Sequence, residues 1–204
     1  MRLNKNFIVR TILESSKIRP INYILVRVIK IDNNIYVIVR EKNKIFLEYP
    51  KFNIKTLAYI GKNGITTDKK EGDGKTPVGE FKLGIILSMY EQINNKNGKK
   101  TLKINKDMYW VDDYESKYYN MLVDVGKIRK DFNSAEHLID FPIQYEYLIE
   151  INANPNNIPK KGSAIFLHCA NNKPTLGCIA VDRNIMKKIV ENIDKYTLIK
   201  IFPK

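Results

Sequence analysis

The chain has 204 residues, enough for one domain with a substantial buried core. An apolar share of 44% excludes wholesale disorder, and two cysteines are too few for a disulfide framework. Lys+Arg number 35 against Asp+Glu 22, and the net charge of +13 favours polyanions: nucleic acid, anionic lipid or acidic cell-wall polymers. These charges are spread along a Lys/Asn/Ile-rich chain with no basic helix and no aromatic RNA-binding strand motif, so specific nucleic-acid recognition is not expected.

Residues 1–20, MRLNKNFIVRTILESSKIRP, read as an N-terminal extension ahead of a single domain over 21–204. The extension starts basic but has no apolar core of signal-peptide length. No run approaches the roughly 18 apolar residues of a membrane span. Composition alone leaves cytosolic and exported placements both open.

Residues 21–29 (INYILVRVI) and 35–40 (IYVIVR) are β-branched runs separated by Asp32-Asn33-Asn34, the pattern of a hairpin. Further strands are expected at 44–49, 55–60, 79–87, 107–111, 121–125, 145–152, 163–168, 177–181 and 197–202, divided mostly by Gly, Asn, Asp and Pro. So many short strands predict a mostly β sandwich or barrel. One helix is predicted over 183–194, with Asp182 as N-cap and Ile185, Met186, Ile189, Val190 and Ile193 at helical spacing. A shorter helix is expected around Ser134-Ala135-Glu136-His137-Leu138.

GDGKT (72–76) imitates the end of a phosphate-binding loop, but Lys69 stands where that motif needs its first glycine, and Pro77-Val78-Gly79 follows where the helix would open. The nucleotide reading fails. Thr76-Pro77-Val78-Gly79 reads instead as a turn that shapes backbone.

LHCANNKPTLGCIAV (167–181) gathers both cysteines and one of the two histidines. Zinc would take four ligands, and only His168, Cys169 and Cys178 are present unless distant His137 joins them. A Cys169–Cys178 disulfide fits across a hairpin-like loop but leaves Gly177 and His168 unexplained. A nucleophilic Cys178 with His168 as its base uses more of the residues. Neighbouring antiparallel strands would bring the two together, and the Gly177 and Cys178 N–H groups would face a developing oxyanion. From the residues alone, a turn glycine, a buried cysteine and a strand-end histidine remain an equal alternative.

The stretch His168…Thr175-Leu176-Gly177-Cys178 resembles the signature of the L,D-transpeptidase (YkuD-type) family, a histidine followed by [S/T]-x-G-C. IGKNGI (60–65), KKEGDGKTPVGEFKL (69–83), YWVDDYESKYYN (109–120), SAEHL (134–138) and GSAIFLHC (162–169) agree in order, so the resemblance runs from about residue 20 to the C-terminus. It implies a mostly β, L,D-transpeptidase-like sandwich with a few peripheral helices, acting on peptidoglycan stem peptides in the cell envelope without metal or cofactor. Cys178 is then the nucleophile and His168 the base, with the Cys169 carbonyl orienting the imidazole and the Gly177 N–H binding the oxyanion. Thr175, Leu176 and His137 are expected to contact substrate. The family's commoner form has a second histidine where this chain has Leu176, and Ala180 replaces a usual Arg or Asn; His137 is a candidate for the vacancy. Tyr109, Trp110, Tyr114, Tyr118 and Tyr119 are candidates to line a cleft, or else to pack in the core. Asp112, Asp113 and Lys117 are candidates for stem contacts. The resemblance implies cross-linking through a thioester; hydrolysis by the same route and an inactive wall-binding domain are the alternatives.

Overall fold

The computed structural model describes residues 33–40, 44–90 and 93–203. The expected strand at 21–29 and the extension at 1–20 lie outside them. The first hydrogen-bonded run comprises β1 (Ile35–Arg40), β2 (Lys44–Tyr49) and β3 (Ile54–Tyr59), joined antiparallel in sequence order. Alternation sets their faces: Ile35 and Val37 of β1 are fully buried while Tyr36 and Ile38 are half-buried.

β4 (Ile65–Thr66) and β5 (Thr76–Pro77) form a small parallel pair, followed by the long β6 (Gly79–Ser88) and the short β7 (Thr101–Lys103). Later come β11 (Tyr147–Ile151), β12 (Phe166–Cys169), β13 (Ile179–Val181), the helix α1 (Arg183–Asn192) and β14 (Leu198–Pro203). Among the described residues nine strands share one sheet in the order β11-β12-β13-β3-β2-β1-β14-β6-β7, and β6 also pairs with β11. The first half of β6 runs beside β14 and its second half beside β11, so the sheet closes on itself. Gly84 stands near this change of partner, where the Glu150 side chain occupies the space that a Cβ would need. The Ile85 N–H donates to Glu150 Oε2 at 3.2 Å, and the β11 register shifts between Ile149 and Ile151. The mostly β architecture agrees with the expectation from sequence.

The helix prediction holds with it. The Asp182 carboxylate accepts from the N–H groups of Asn184 (2.8 Å) and Ile185 (3.3 Å). Met186, Ile189 and Val190 are fully buried, each contributing about 1.5–3 kcal/mol by removal from water. Their face packs on β11 and β12 and so backs the strand that carries His168.

A second, three-stranded antiparallel sheet has β8 (Met108–Val111) between β9 (Leu122–Asp124) and β10 (Ala135–His137). β10 corrects the short helix expected at 134–138. Ala, Glu and Leu favour helix, but so few residues cannot offset the cost of nucleating one, and the backbone pairs with β8 instead. A single 3-10 turn, Leu138–Asp140, follows and buries Leu138. The two faces of this sheet differ. Trp110 packs edge-on to Phe166 of β12 at 4.9 Å, while Tyr109 and Val111 join a separate small core with Phe132.

Candidate active site

Every residue of β12 is buried, and alternation divides it. Leu167 and Cys169 join the large core, whereas Phe166 borders the cluster containing Trp110, Leu138 and Tyr145. His168 shares the Phe166 face, with its ring edge-on to Tyr145 at 5.7 Å. Cys178 packs against that same cluster. β12 and β13 are parallel, not antiparallel as the hairpin-like reading required, with His168 opposite Ala180. The register carried one residue back from Ile179 sets Cys178 beside Phe166, on the face of His168 and two positions below it. This also disposes of the disulfide: Cys169 and Cys178 are free thiols committed to opposite faces.

His168 is 6% exposed, and its Nδ1 lies 2.8 Å from the Cys169 carbonyl oxygen. That contact makes Nδ1 the protonated nitrogen and leaves Nε2 as the basic one. Burial lowers the imidazole pKa to about 4, so the ring is neutral at ordinary pH. Burial, and then the nearby Glu136 charge, push the Cys178 thiol well above its usual range; the Phe166 N–H and the Lys69 ammonium pull the other way. The thiol donates to the Ala164 carbonyl at 3.2 Å and accepts from the Phe166 N–H at 3.4 Å. Ala164 holds a left-handed φ of 51°, rare for a residue with a side chain, and its N–H donates to Asn120 Oδ1 at 3.1 Å. The same Asn120 oxygen accepts from the Trp110 indole N–H, tying β8 to this turn. The resting pair is therefore a neutral thiol and a neutral imidazole.

Gly177 adopts φ of 150°, and a Cβ there would meet the Lys75 carbonyl oxygen at 3.1 Å and Ile165 Cδ1 at 3.2 Å. Fully buried Thr76 donates its hydroxyl to the Gly177 carbonyl at 2.7 Å and accepts from the Gly61 N–H at 2.9 Å. The Thr76-Pro77 turn thus supports the glycine that precedes the thiol. Thr175, expected at the substrate, folds into the same turn: its Oγ1 donates to the Cys178 carbonyl (2.6 Å) and accepts from the Gly177 N–H (3.2 Å). Leu176 stands out into solvent, 73% exposed.

His137 does not fill the vacancy left at Leu176. Its Nδ1 meets Asp140 Oδ2 at 3.0 Å, its Nε2 meets the Lys106 carbonyl at 2.8 Å, and its ring stacks on Tyr109 at 4.3 Å. Strand alternation sends its neighbour Glu136 to the other face, where the carboxylate accepts the Tyr145 hydroxyl. Burial, with Asp112 and Glu71 adding repulsion, raises Glu136 to about 7. The helix reading of 134–138 hid this residue, whereas a two-residue periodicity would have sent either Glu136 or His137 inward.

Two further groups near the site lie within KKEGDGKTPVGEFKL (69–83), where neither had been assigned chemistry. Lys69 is a largely buried cation, its side chain 11% exposed, paired with Asp73 at 2.5 Å, and its stem runs beside Gly162 and Gly177. Glu71 accepts the Tyr119 hydroxyl and, at 2.8 Å, the Ser163 hydroxyl. Of the aromatic candidates, Trp110 and Tyr119 are core, while Tyr114 is exposed under the Lys160 ammonium. Asp113 shapes turns by accepting from the Glu115 and Asn133 N–H groups, and the Lys117 ammonium lies over the Tyr118 ring. Asp112 borders a cleft of about 510 Å3 with Glu71, Asp113 and Tyr114. Among the described residues no group of three or more His, Cys, Asp and Glu is placed to hold a metal ion.

A fold built mainly of strands, with a thiol and an imidazole on one face of two parallel strands, defines a class: sheet-based domains with a Cys/His pair beside a glycine turn. The model of the L,D-transpeptidase catalytic domain, YkuD, matches residues 23–201, nearly the whole chain, and the chain belongs to that family. The family is generally enzymatic, acts on peptidoglycan and is typically associated with the cell wall outside the cytoplasm. No curated protein matches the chain. No helix among the described residues is long and apolar enough to cross a membrane.

Proposed function

We propose that the protein is a cysteine-dependent L,D-transpeptidase that acts on peptidoglycan stem tetrapeptides at the cell envelope. The observation that carries the reading is the shared face of Cys178 and His168, with the imidazole Nδ1 engaged by the Cys169 carbonyl so that Nε2 is the nitrogen left to take a proton. As the stem peptide enters, the thiol leaves the Ala164 carbonyl and gives its proton to His168 Nε2. The sulfur forms a bond to the carbonyl carbon that joins the third stem residue to the terminal D-alanine. Backbone N–H groups at Cys178 and Gly177 hold the oxyanion, the second released from its weak 3.2 Å bond to Thr175 Oγ1. The imidazolium protonates the leaving nitrogen, the C–N bond breaks, and D-alanine departs from a Cys178 thioester. An amine of a neighbouring stem then loses a proton to His168 and attacks the thioester. Its new C–N bond completes the cross-link, the C–S bond breaks, and the proton returns to the thiolate.

The test is intact-protein mass spectrometry after incubation with a carbapenem, an acylating mimic of the stem. One covalent adduct, absent in Cys178→Ala, is the expected result; no adduct on a Cys178 that alkylates normally would favour a wall-binding domain. Incubation with disaccharide-tetrapeptide then distinguishes cross-linked dimer, the expected product, from the tripeptide that carboxypeptidase action would release.

A further inference from the structure

We propose that Tyr145 and Glu136 form a positioning pair for the His168 base, in which the Tyr145 ring sets the tilt of the imidazole and Glu136 anchors that ring to the three-stranded sheet. The inference rests on His168 acting as base. One hydrogen bond at Nδ1 fixes a single axis of the imidazole, and the ring can still swing about the line to the Cys169 carbonyl. The Tyr145 ring removes that freedom, because the two rings meet in a T-shaped contact at 5.7 Å with 78° between their planes.

Tyr145 is itself held on every side. It is 5% exposed, meets Phe166 edge-on at 5.8 Å and Phe141 at 5.1 Å, and donates its N–H to the Phe141 carbonyl at 2.8 Å. Its backbone, at φ −101° and ψ 17°, sits in the sparsely allowed bridge region, inside the 3-10 turn that leads into β11. Its hydroxyl ends on the Glu136 carboxylate. Glu136 lies across the strand pair from Trp110, whose ring braces Phe166. A continuous path of contacts thus joins the three-stranded sheet to the imidazole. The charges around the Glu136 carboxylate are Asp112, just beyond β8, and Glu71 in the loop before β5; the Cys178 thiol also adjoins it. The hydrogen bond from the Tyr145 hydroxyl is the contact that holds this carboxyl in place.

The experiment measures the rate of Cys178 acylation by a carbapenem against pH, with a thermal melt of each variant. Tyr145→Phe keeps the ring and loses the anchor, and acylation slows about 10-fold. Tyr145→Leu loses the ring as well and slows acylation about 100-fold. Glu136→Ala behaves like Tyr145→Phe, while Glu136→Gln, whose amide oxygen still accepts the hydroxyl, recovers most of the lost rate. A purely structural role would leave the acid limb of the profile in place; here that limb rises from about 4 toward 6.5 in Tyr145→Leu, as the imidazole regains water. Wild-type rates in both Tyr145 variants, or Glu136→Gln as slow as Glu136→Ala, would overturn the pair. Should wild-type Cys178 take no adduct, the transpeptidase reading fails separately. The His168 midpoint by NMR then decides the pair: a rise in Tyr145→Leu upholds it, and no change overturns it.

Discussion

β12 with its neighbour β13 and the three-stranded sheet of β8–β10 both face Cys178, but they are built by different physics. The first is nearly all apolar: each β12 residue is buried, as are Ile179, Ala180 and Val181, and His168 is its one ionisable imidazole. The second brings acids to the same cluster, through Glu136 on β10 and Asp112 just beyond β8. Apolar strands hold the reacting groups neutral by excluding water. The acid-bearing sheet makes thiolate formation harder still, because a carboxylate stands near the sulfur. On the function proposed above, the site is latent at rest, and substrate binding supplies what draws the proton from sulfur to nitrogen.

The largest effect breaks the apolar side. His168→Gln keeps the volume but removes the base, and turnover with disaccharide-tetrapeptide falls by roughly 10²–10⁴-fold. A loss smaller than that range would move the base elsewhere.

A pH experiment sharpens the contrast. Glu136 binds its proton up to about pH 7 when folded, against an ordinary carboxyl at 4.5, so its contribution to stability falls as pH rises through that window. His168 is held at about 4 against 6.5, so the unfolded chain takes the extra proton, and its contribution falls as pH drops from 6.5 to 4. The two slopes oppose each other. Glu136→Gln leaves the His168 slope alone, and the variant loses about 3 kcal/mol on acidification from pH 7 to 4.5 relative to wild type. His168→Gln gains by a comparable amount over the same range. Urea unfolding at the two pH values gives both numbers, and parallel behaviour of the two variants would refute opposed titrations.

Thr76→Val tests the turn beneath both regions. It leaves the Gly61 N–H and the Gly177 carbonyl without their hydroxyl partner, at a cost of about 2 kcal/mol in unfolding free energy. The smallest effect belongs to His137→Ala. With both ring nitrogens turned away from the thiol, acylation of Cys178 changes less than about 2-fold. A larger loss would return His137 to the site.

The apolar side of the comparison was the legible one. IYVIVR and KIFLEY are such short apolar runs between polar breaks that β1 and β2 fall on the predicted bounds, and Asp182 marks the start of α1. His168 and Cys178 were legible as residue types at a recognisable spacing. Their parallel pairing was not, because strand order depends on contacts between distant segments, here β13 meeting β3 and β11 meeting β6. Glu136, Tyr145 and Lys69 escaped for a related reason. A carboxylate or an ammonium in a loop-rich stretch reads as solvated, and only the folded chain shows what covers it. SAEHL was in view throughout, but choosing helix over strand decided which of its two titratable side chains faced inward.

The left-handed backbone at Ala164 also bears on how readily the Cys178 sulfur oxidises. By presenting its carbonyl to the Cys178 sulfur, it keeps the group as a hydrogen-bond donor, and a thiol reacts with peroxides far more slowly than a thiolate. A cysteine enzyme exposed to oxidants would otherwise drift to sulfenic and then sulfinic acid between turnovers. One unfavourable dihedral angle thus bears on redox chemistry: a sulfur held as a donor to the Ala164 carbonyl is a poor target for oxidants.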